Sequence, residues 1–420
     1  MDSGNLAWYL TAAVLVLFMT PGIAFFYGGM VRAKSVISMM MMSIGSMGIV
    51  GVLWVLIGFN MGDMTAGSGN LIPGVLGNPF SDFALTNLTQ GKDANANLLM
   101  VLYGATFAIA TVALISGAIA DRAKYGAWML FAALWAILDY FPVQGWVWGF
   151  NPANGDPTGW VYNLGNLLGF HTATTTIDYA GGTAVHINSA AAALALAFVL
   201  GKRIGFTKGV SSPHNVPLTL IGVGILWFGW FGFNVGAAAT TNFDGLGILA
   251  INTFVAAAAG ILGWVVVEKF KDGKPTSIGA GSGAIAGLVA ITPACFSLTP
   301  GWAIVLGLIA GAVCALAIEL KYKLGFDDSL DVVGLHGVGG FLGCLFLGFF
   351  ANGTGLLYSG SWEQLIVQAT AAIAVAAYSF GIAWAIGWAI EKTIGFRVRN
   401  EDELAGVDLA VHGEEAYELV

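Results

Sequence analysis

Asp178-Tyr-Ala-Gly-Gly-Thr-Ala-Val-His186 and, later in the chain, Asp328-Ser-Leu-Asp-Val-Val-Gly-Leu-His336 each place a carboxylate eight residues before a histidine. Each histidine then runs into a long apolar, glycine-rich segment. Ionisable side chains inside apolar segments are costly and usually functional. Fold and working centre therefore turn on one question, whether these two segments meet.

The surrounding composition fixes the solvent. The chain has 420 residues, of which 57% are hydrophobic and 10% charged, with mean hydropathy +0.80; a soluble domain is about 25% charged. This is the composition of an all-α polytopic membrane protein. Its 60 glycines suit helices that approach closely, because small residues let backbones pack in a bilayer. Cys295, Cys314 and Cys344 lie in apolar stretches without ligand-like spacing and read as small core residues. The opening Met-Asp-Ser-Gly-Asn-Leu lacks the basic stretch of a signal peptide, so the first helix is expected to be retained.

At about 20 apolar residues per crossing, the hydropathy pattern predicts eleven transmembrane helices near 7–29, 36–61, 97–120, 126–149, 179–200, 216–240, 246–267, 277–296, 301–320, 331–351 and 364–390. They form a transport domain over 1–390, followed by a tail over 391–420. Of the 16 bases, all but Lys92 fall in the connections after odd-numbered spans, Lys208 among them. The positive-inside rule then puts the N-terminus outside and the tail in the cytoplasm. The last thirty residues carry eight acids and three bases, so much of the acidity belongs to the tail. That distribution argues against nucleic-acid binding. The long connections 62–96 and 150–178 are both external and rich in turn formers, suited to the rim of a vestibule.

Orientation gives the two segments a geometry. Asp178 opens span five at the outer face, and Asp328 precedes span ten at the inner face. A rise of 1.5 Å per residue carries each histidine about 12 Å inward, one from each side, to the midplane. Matching segments of opposite orientation, each opening the fifth element of a five-helix half, predict a five-plus-five inverted repeat with an extra C-terminal helix. Such folds hold the substrate site between the halves.

His171, His214 and His412 fall in loops or tail, leaving His186 and His336 as the intramembrane histidines. No Lys, Arg, Glu or Asp is read as lying deep in a span, so neither has a charged partner. Burial without counter-charge favours the neutral imidazole, which offers one donor and one acceptor nitrogen. Two such rings end to end satisfy each other and still face a small polar molecule; the alternative is two separately satisfied core histidines. Two histidines without a third ligand are too few for zinc, and no cofactor fingerprint is present.

Asp178, Asp328 and Asp331 suit helix capping. For Asp178 the alternative is a negative field at the external mouth. Trp146 and Trp148 end span four, Phe107 lies in span three, and Trp230, Phe231 and Phe233 cluster in span six. These aromatics fit an interfacial belt or, if Trp148 and Phe107 converge, a site where a small cation lies against ring faces.

The stretches 178–188, Trp-Phe-Gly-Phe-Asn-Val-Gly (230–236), 327–340, Gly-Val-Asp-Leu-Ala-Val-His-Gly-Glu-Glu-Ala-Tyr (406–417) and Phe-Tyr-Gly-Gly-Met-Val-Arg (26–32) resemble, in order, the Amt branch of the ammonium transporter (Amt/Mep/Rh) family. The resemblance implies a homotrimer in the cell (cytoplasmic or inner) membrane, with one pore per subunit. Trp148 and Phe107 would form the external cation site, Phe107 and Phe233 a stacked gate, and His186 with His336 a twin-histidine pore. Asp178 would act on the external site indirectly. Ala237 stands where many relatives have a serine, so one hydroxyl for the cation is missing. Tyr103 replaces a frequent phenylalanine one turn before the gate, and its hydroxyl is a candidate substitute. The tail matches a segment that a PII-type nitrogen regulatory protein contacts when it blocks the pore; without that match, a solvated tail is the plainer reading.

The implied function is transport of ammonium, with methylammonium as a further substrate. The ion is recruited outside and deprotonated at the gate, and ammonia is conducted along the histidines while the proton crosses separately. Alternatives are a passive ammonia gas channel, an ammonium sensor signalling through its tail, and an intramembrane enzyme. The last lacks a nucleophile motif and a third catalytic partner, so an enzyme is not expected.

Overall fold

A chain that crosses hydrocarbon must satisfy its backbone polar groups internally, and apolar helices do so segment by segment. The computed structural model describes residues 2–64, 69–151, 155–170, 174–206, 212–238 and 245–417. His171 and Lys208 lie outside them. The helices that build the body are α1 Ser3–Met30, α2 Val36–Met61, α3 Ala94–Ile119, α4 Tyr125–Trp148, α5 Gly182–Leu200, α6 Val216–Val235, α7 Leu246–Lys271, α8 Ser277–Ile291, α9 Pro300–Leu324, α10 Val333–Phe350 and α11 Glu363–Thr393. Among the described residues β-structure is limited to isolated bridges.

Ten of these helices are long and apolar enough to cross a membrane, which makes this a multi-pass membrane protein. The exception is α8, the element expected over 277–296. It has 15 residues and ends where Thr292 to Ser297 turn away. From Gly281 to Ile291 it is buried throughout, packed by α6, α7, α9 and α10. A side chain at Gly283 would stand 2.6 Å from the Gly260 carbonyl oxygen of α7. Here a glycine sets the approach of two helices. The three cysteines are buried and free.

Several helices widen into π-helical turns. These cover Ala136–Tyr140 in α4, Gly182–Ile187 in α5, Phe231–Val235 in α6 and Val333–Gly337 in α10. Single π turns inside α-helices are frequent at functional sites. His186, Phe233 and His336 each lie in one.

At the end of the bundle that carries residues 121 and 203, charge is buried in pairs. Arg203 holds Asp327 at 2.9 Å and Asp121 at 3.0 Å, and the buried Arg122 donates to the Asp327 carbonyl at 2.7 Å and to Ser329. Burial works against ionisation of Asp327, but the hydrogen bonds and charge of Arg203 outweigh it and hold the carboxyl below the usual range.

The tail packs against this same end. Glu403 is buried and accepts from the Ile204 amide at 2.6 Å and from Arg397 at 2.6 Å. Asp408 accepts from the amides of Ile37 at 3.0 Å and Ser38 at 2.7 Å. Ser35, at the N-cap of α2, makes no side-chain capping bond. Asp408 thus caps α2 from the far end of the chain.

Candidate functional site

The candidate site is a polar line through an apolar bundle, beginning where α5 starts. Gly181 has φ +115°, a conformation that glycine alone adopts readily. The turn it makes aims four backbone amides at one carboxylate: Asp178 accepts from Gly181 at 2.9 Å, Gly182 at 2.6 Å, Thr183 at 2.8 Å and Ala184 at 3.0 Å. The side chain is spent on capping. Its carbonyl accepts the Trp148 indole N–H at 2.7 Å, so Asp178 reaches the aromatic cluster by its backbone.

That cluster is continuous. Trp148 meets Phe107 edge-on at 6.0 Å and 85°, and Phe107 stacks on Phe233 at 4.0 Å and 19°. Tyr103 tilts against Phe107 at 4.8 Å. Its hydroxyl lies 2.7 Å from the Phe233 carbonyl and 3.1 Å from that of Gly232, to which its proton is donated. The hydroxyl therefore ties α3 to the π turn under Phe233. Ala237 is buried one turn beyond Phe233, and its methyl brings no hydrogen-bonding atom.

Beyond Phe233 come the histidines. Their Nδ1 atoms are 3.2 Å apart, with ring centroids at 5.2 Å and planes 31° apart. His186 also lies 6.0 Å from Phe233, nearly parallel to it. Its Nε2 is buried with no hydrogen-bond partner among the described residues. Both rings border a cavity of about 20 Å³ whose other walls include Phe26, Leu114, Val185, Leu226 and Ile285. That volume accommodates about one water-sized molecule. The arrangement is an aromatic stack leading to a narrow apolar space with imidazole nitrogens on one side.

Asp328 accepts from the amides of Val332 at 3.1 Å and Val333 at 2.7 Å and so caps α10. Asp331 pairs instead with Lys321 at 2.6 Å. No group of three or more His, Cys, Asp or Glu side chains fit to hold a metal occurs among the described residues.

The sequence reading placed Trp230 only in the aromatic cluster of span six and missed Asp139. Trp230 lies nearly parallel to His186 at 5.5 Å and is held by its indole N–H on the Thr292 hydroxyl at 2.9 Å. The signal was its position three residues before Phe233, which puts both on one helix face. The expectation that no acid lies deep in a span is corrected: Asp139 sits in the π turn of α4, fully buried. Its depth was legible, because residue 139 falls near the middle of the span expected over 126–149; only the lack of a cationic partner is tertiary.

Comparison with known proteins gives one answer. Residues 7–417 match the family model described as the Ammonium Transporter Family. An ammonium transporter of Mycobacterium tuberculosis is 46% identical, across 100% of this chain and 91% of that one. The crystal structure of Candida albicans Mep2 superposes with TM-score 0.84 at 33% identity, covering 99% of this chain and 91% of its own. A protein named Sensor Amt Protein superposes with TM-score 0.85 at 28% identity, covering 97% and 98%.

Proposed function

Since the chain belongs to the ammonium transporter family, we propose that it recruits ammonium at Trp148 and Phe107, strips its proton at the Phe107–Phe233 stack and conducts ammonia past His186 and His336. The observation that carries this reading is the succession of a 4.0 Å aromatic stack and a cavity of about 20 Å³ bordered by both histidines. A cation against ring faces gains about 0.5–2 kcal/mol, enough to concentrate it at the mouth. It gains no counter-charge beyond the gate, because no ion pair among the described residues reaches the histidines. Ammonium can leave a proton behind and enter as a neutral molecule able to hydrogen-bond to imidazole. Potassium matches it in charge and size but has no proton to lose.

In this reading the proton crosses separately and transport is electrogenic. The protein is a homotrimer of eleven-span subunits in the cell membrane, with α8 as the eighth crossing, an inverted five-plus-five repeat, the N-terminus outside and the tail in the cytoplasm. The tail, already seated on the loops after α1 and α5, is the surface on which a PII-type protein would act. Ammonium and potassium fluxes into proteoliposomes, with currents on a solid-supported membrane, test the reading. Selective ammonium-driven current supports it, charge-free ammonia flux leaves a gas channel, and absence of flux removes transport altogether.

A second reading has its own support. The likeness to the Sensor Amt Protein and the docked tail fit a chain that binds ammonium and signals through residues 391–420. Substantial uptake by the purified protein counts against it.

A further inference from the structure

Asp139 belongs neither to the pore nor to the buried charge network. It is fully buried within α4, and neither carboxyl oxygen has a hydrogen-bond partner among the described residues. No Lys or Arg among those residues forms an ion pair with it. The groups that face it come from α5 and α11. Asn188 and Ser379 lie close enough to interact with the carboxyl, yet neither makes a bond of ordinary geometry to it. Tyr378, near enough to feel its charge, donates its own hydroxyl to the Leu138 carbonyl at 2.7 Å.

The missing counter-charge bears on the protonation state. The Ser379 hydroxyl is spent on the Asn188 backbone carbonyl at 2.8 Å, and one of the two Asn188 amide N–H groups on the Ala184 carbonyl at 3.2 Å. What remains is three orphan acceptors, both Asp139 oxygens and Asn188 Oδ1, beside the second Asn188 N–H and with no cation paired to them. A carboxylate here would be a charge without a counter-ion inside a membrane, a costly arrangement. A carboxylic acid resolves it, because its O–H supplies the missing donor to Asn188 Oδ1.

We propose that Asp139 is a proton-binding site of the membrane interior, separate from the histidine pair, whose bound proton bridges to Asn188 and fixes the segment of α5 that carries His186. Asn188 follows His186 by two residues, about 200° around the helix, so the tie acts from behind the pore wall. It acts beside the π turn Gly182–Ile187, where wider bonds such as His186 N–H to the Gly181 carbonyl at 3.0 Å replace the α-helical ladder. Asp139 is a positioning residue and touches neither substrate nor gate.

Infrared spectroscopy of the protein in lipid at neutral pH tests the bound proton. The wild type should show the C=O stretch of a protonated carboxylic acid, and Asp139→Asn should lose it. Asn188→Leu should keep that band but shift it toward the frequency of a free acid, a readout that a merely structural role would not move. Ammonium flux tests the positioning, and only this arm rests on the transport reading. Asp139→Asn, whose amide can still donate to Asn188, should stay near wild type, whereas Asp139→Leu should lose about tenfold or more, as small misplacements of a working group do. Only carboxylate bands from Asp139, or a band unmoved by Asn188→Leu, would overturn the bound proton. Equal loss in both Asp139 variants, or none in either, would overturn the positioning role. Absence of wild-type flux would defeat the transport reading while the infrared result still decided the bound proton.

Discussion

His186 and His336 stand 150 residues apart in the chain and face each other Nδ1 to Nδ1 at 3.2 Å. Such a bond needs one ring to donate and the other to accept, so two neutral rings must hold opposite tautomers. One then presents a bare Nε2 and the other an Nε2–H. The pair offers a passing molecule an acceptor and a donor with no net charge.

A charge at that pair should therefore destroy discrimination. His186→Asp or His336→Asp places a carboxylate where the walls are apolar, which costs a few kcal/mol in a membrane interior and attracts any monovalent cation. Flux measurements with ammonium and potassium should show selectivity reduced by at least about tenfold, one tenfold step being about 1.4 kcal/mol, or transport abolished. Unchanged selective flux would mean that the centre lies elsewhere.

Trp148→Leu removes one of the two aromatic faces offered to the cation, together with the bond to the Asp178 carbonyl. The cation–π contribution of about 0.5–2 kcal/mol translates into a rise of roughly 2- to 30-fold in the ammonium concentration giving half-maximal current. Ammonia delivered as a gas at high pH should cross with little change, since it needs no cation site.

Tyr103→Phe leaves the ring against Phe107 and deletes the hydroxyl that holds the carbonyls of Gly232 and Phe233. One such hydrogen bond contributes about 1 kcal/mol. The variant should melt a few degrees lower with near-normal selectivity. A large loss of apparent affinity with unchanged stability would instead place the hydroxyl at the cation.

Asp408→Ala uncaps α2 from the tail side. Loss of a helix cap costs about 0.5–2 kcal/mol, and because this cap is also the tail's anchor, the expected readout is local. Limited proteolysis should cut residues 391–420 several-fold faster than in the wild type, whereas Asp408→Asn, which keeps one acceptor oxygen, should fall between the two.

The Asp327–Arg203 pair should be sensitive to acid. The carboxyl is held below its ordinary value, so its contribution is complete above the unfolded value of about 3.9 and is lost as pH falls through the lower folded value. Breaking a buried pair from one side costs about 3–5 kcal/mol. Asp327→Asn should melt clearly below wild type at pH 7 and at pH 5, and the gap should close only below about pH 4. A gap that closes between pH 7 and 5 would contradict the assignment.

Much of this was legible because membrane solvent makes patterns strict. Hydropathy located the helices to within a few residues, and α8 came out shorter because its last expected residues leave the helix at Thr292. The Asp-x₇-His pattern picked out His186 and His336 before any contact was known. Asp178 was legible as a cap because a carboxylate before Gly-Gly has amides to accept from.

What the sequence could not decide were matters of facing. That Trp230 lies alongside one face of His186, that Tyr103 spends its hydroxyl on a carbonyl, and that Asp139 is sealed beside Asn188 and Ser379 all depend on helices distant in the chain coming together. The sequence by itself determined the solvent, the apolar nature of the segments and the positions of the two histidines, because each is written in local composition and spacing. Only the tertiary structure decided which nitrogen faces which, what caps α2, and that Asp139 is buried without an ion-pair partner among the described residues, because partners are assigned by proximity in space.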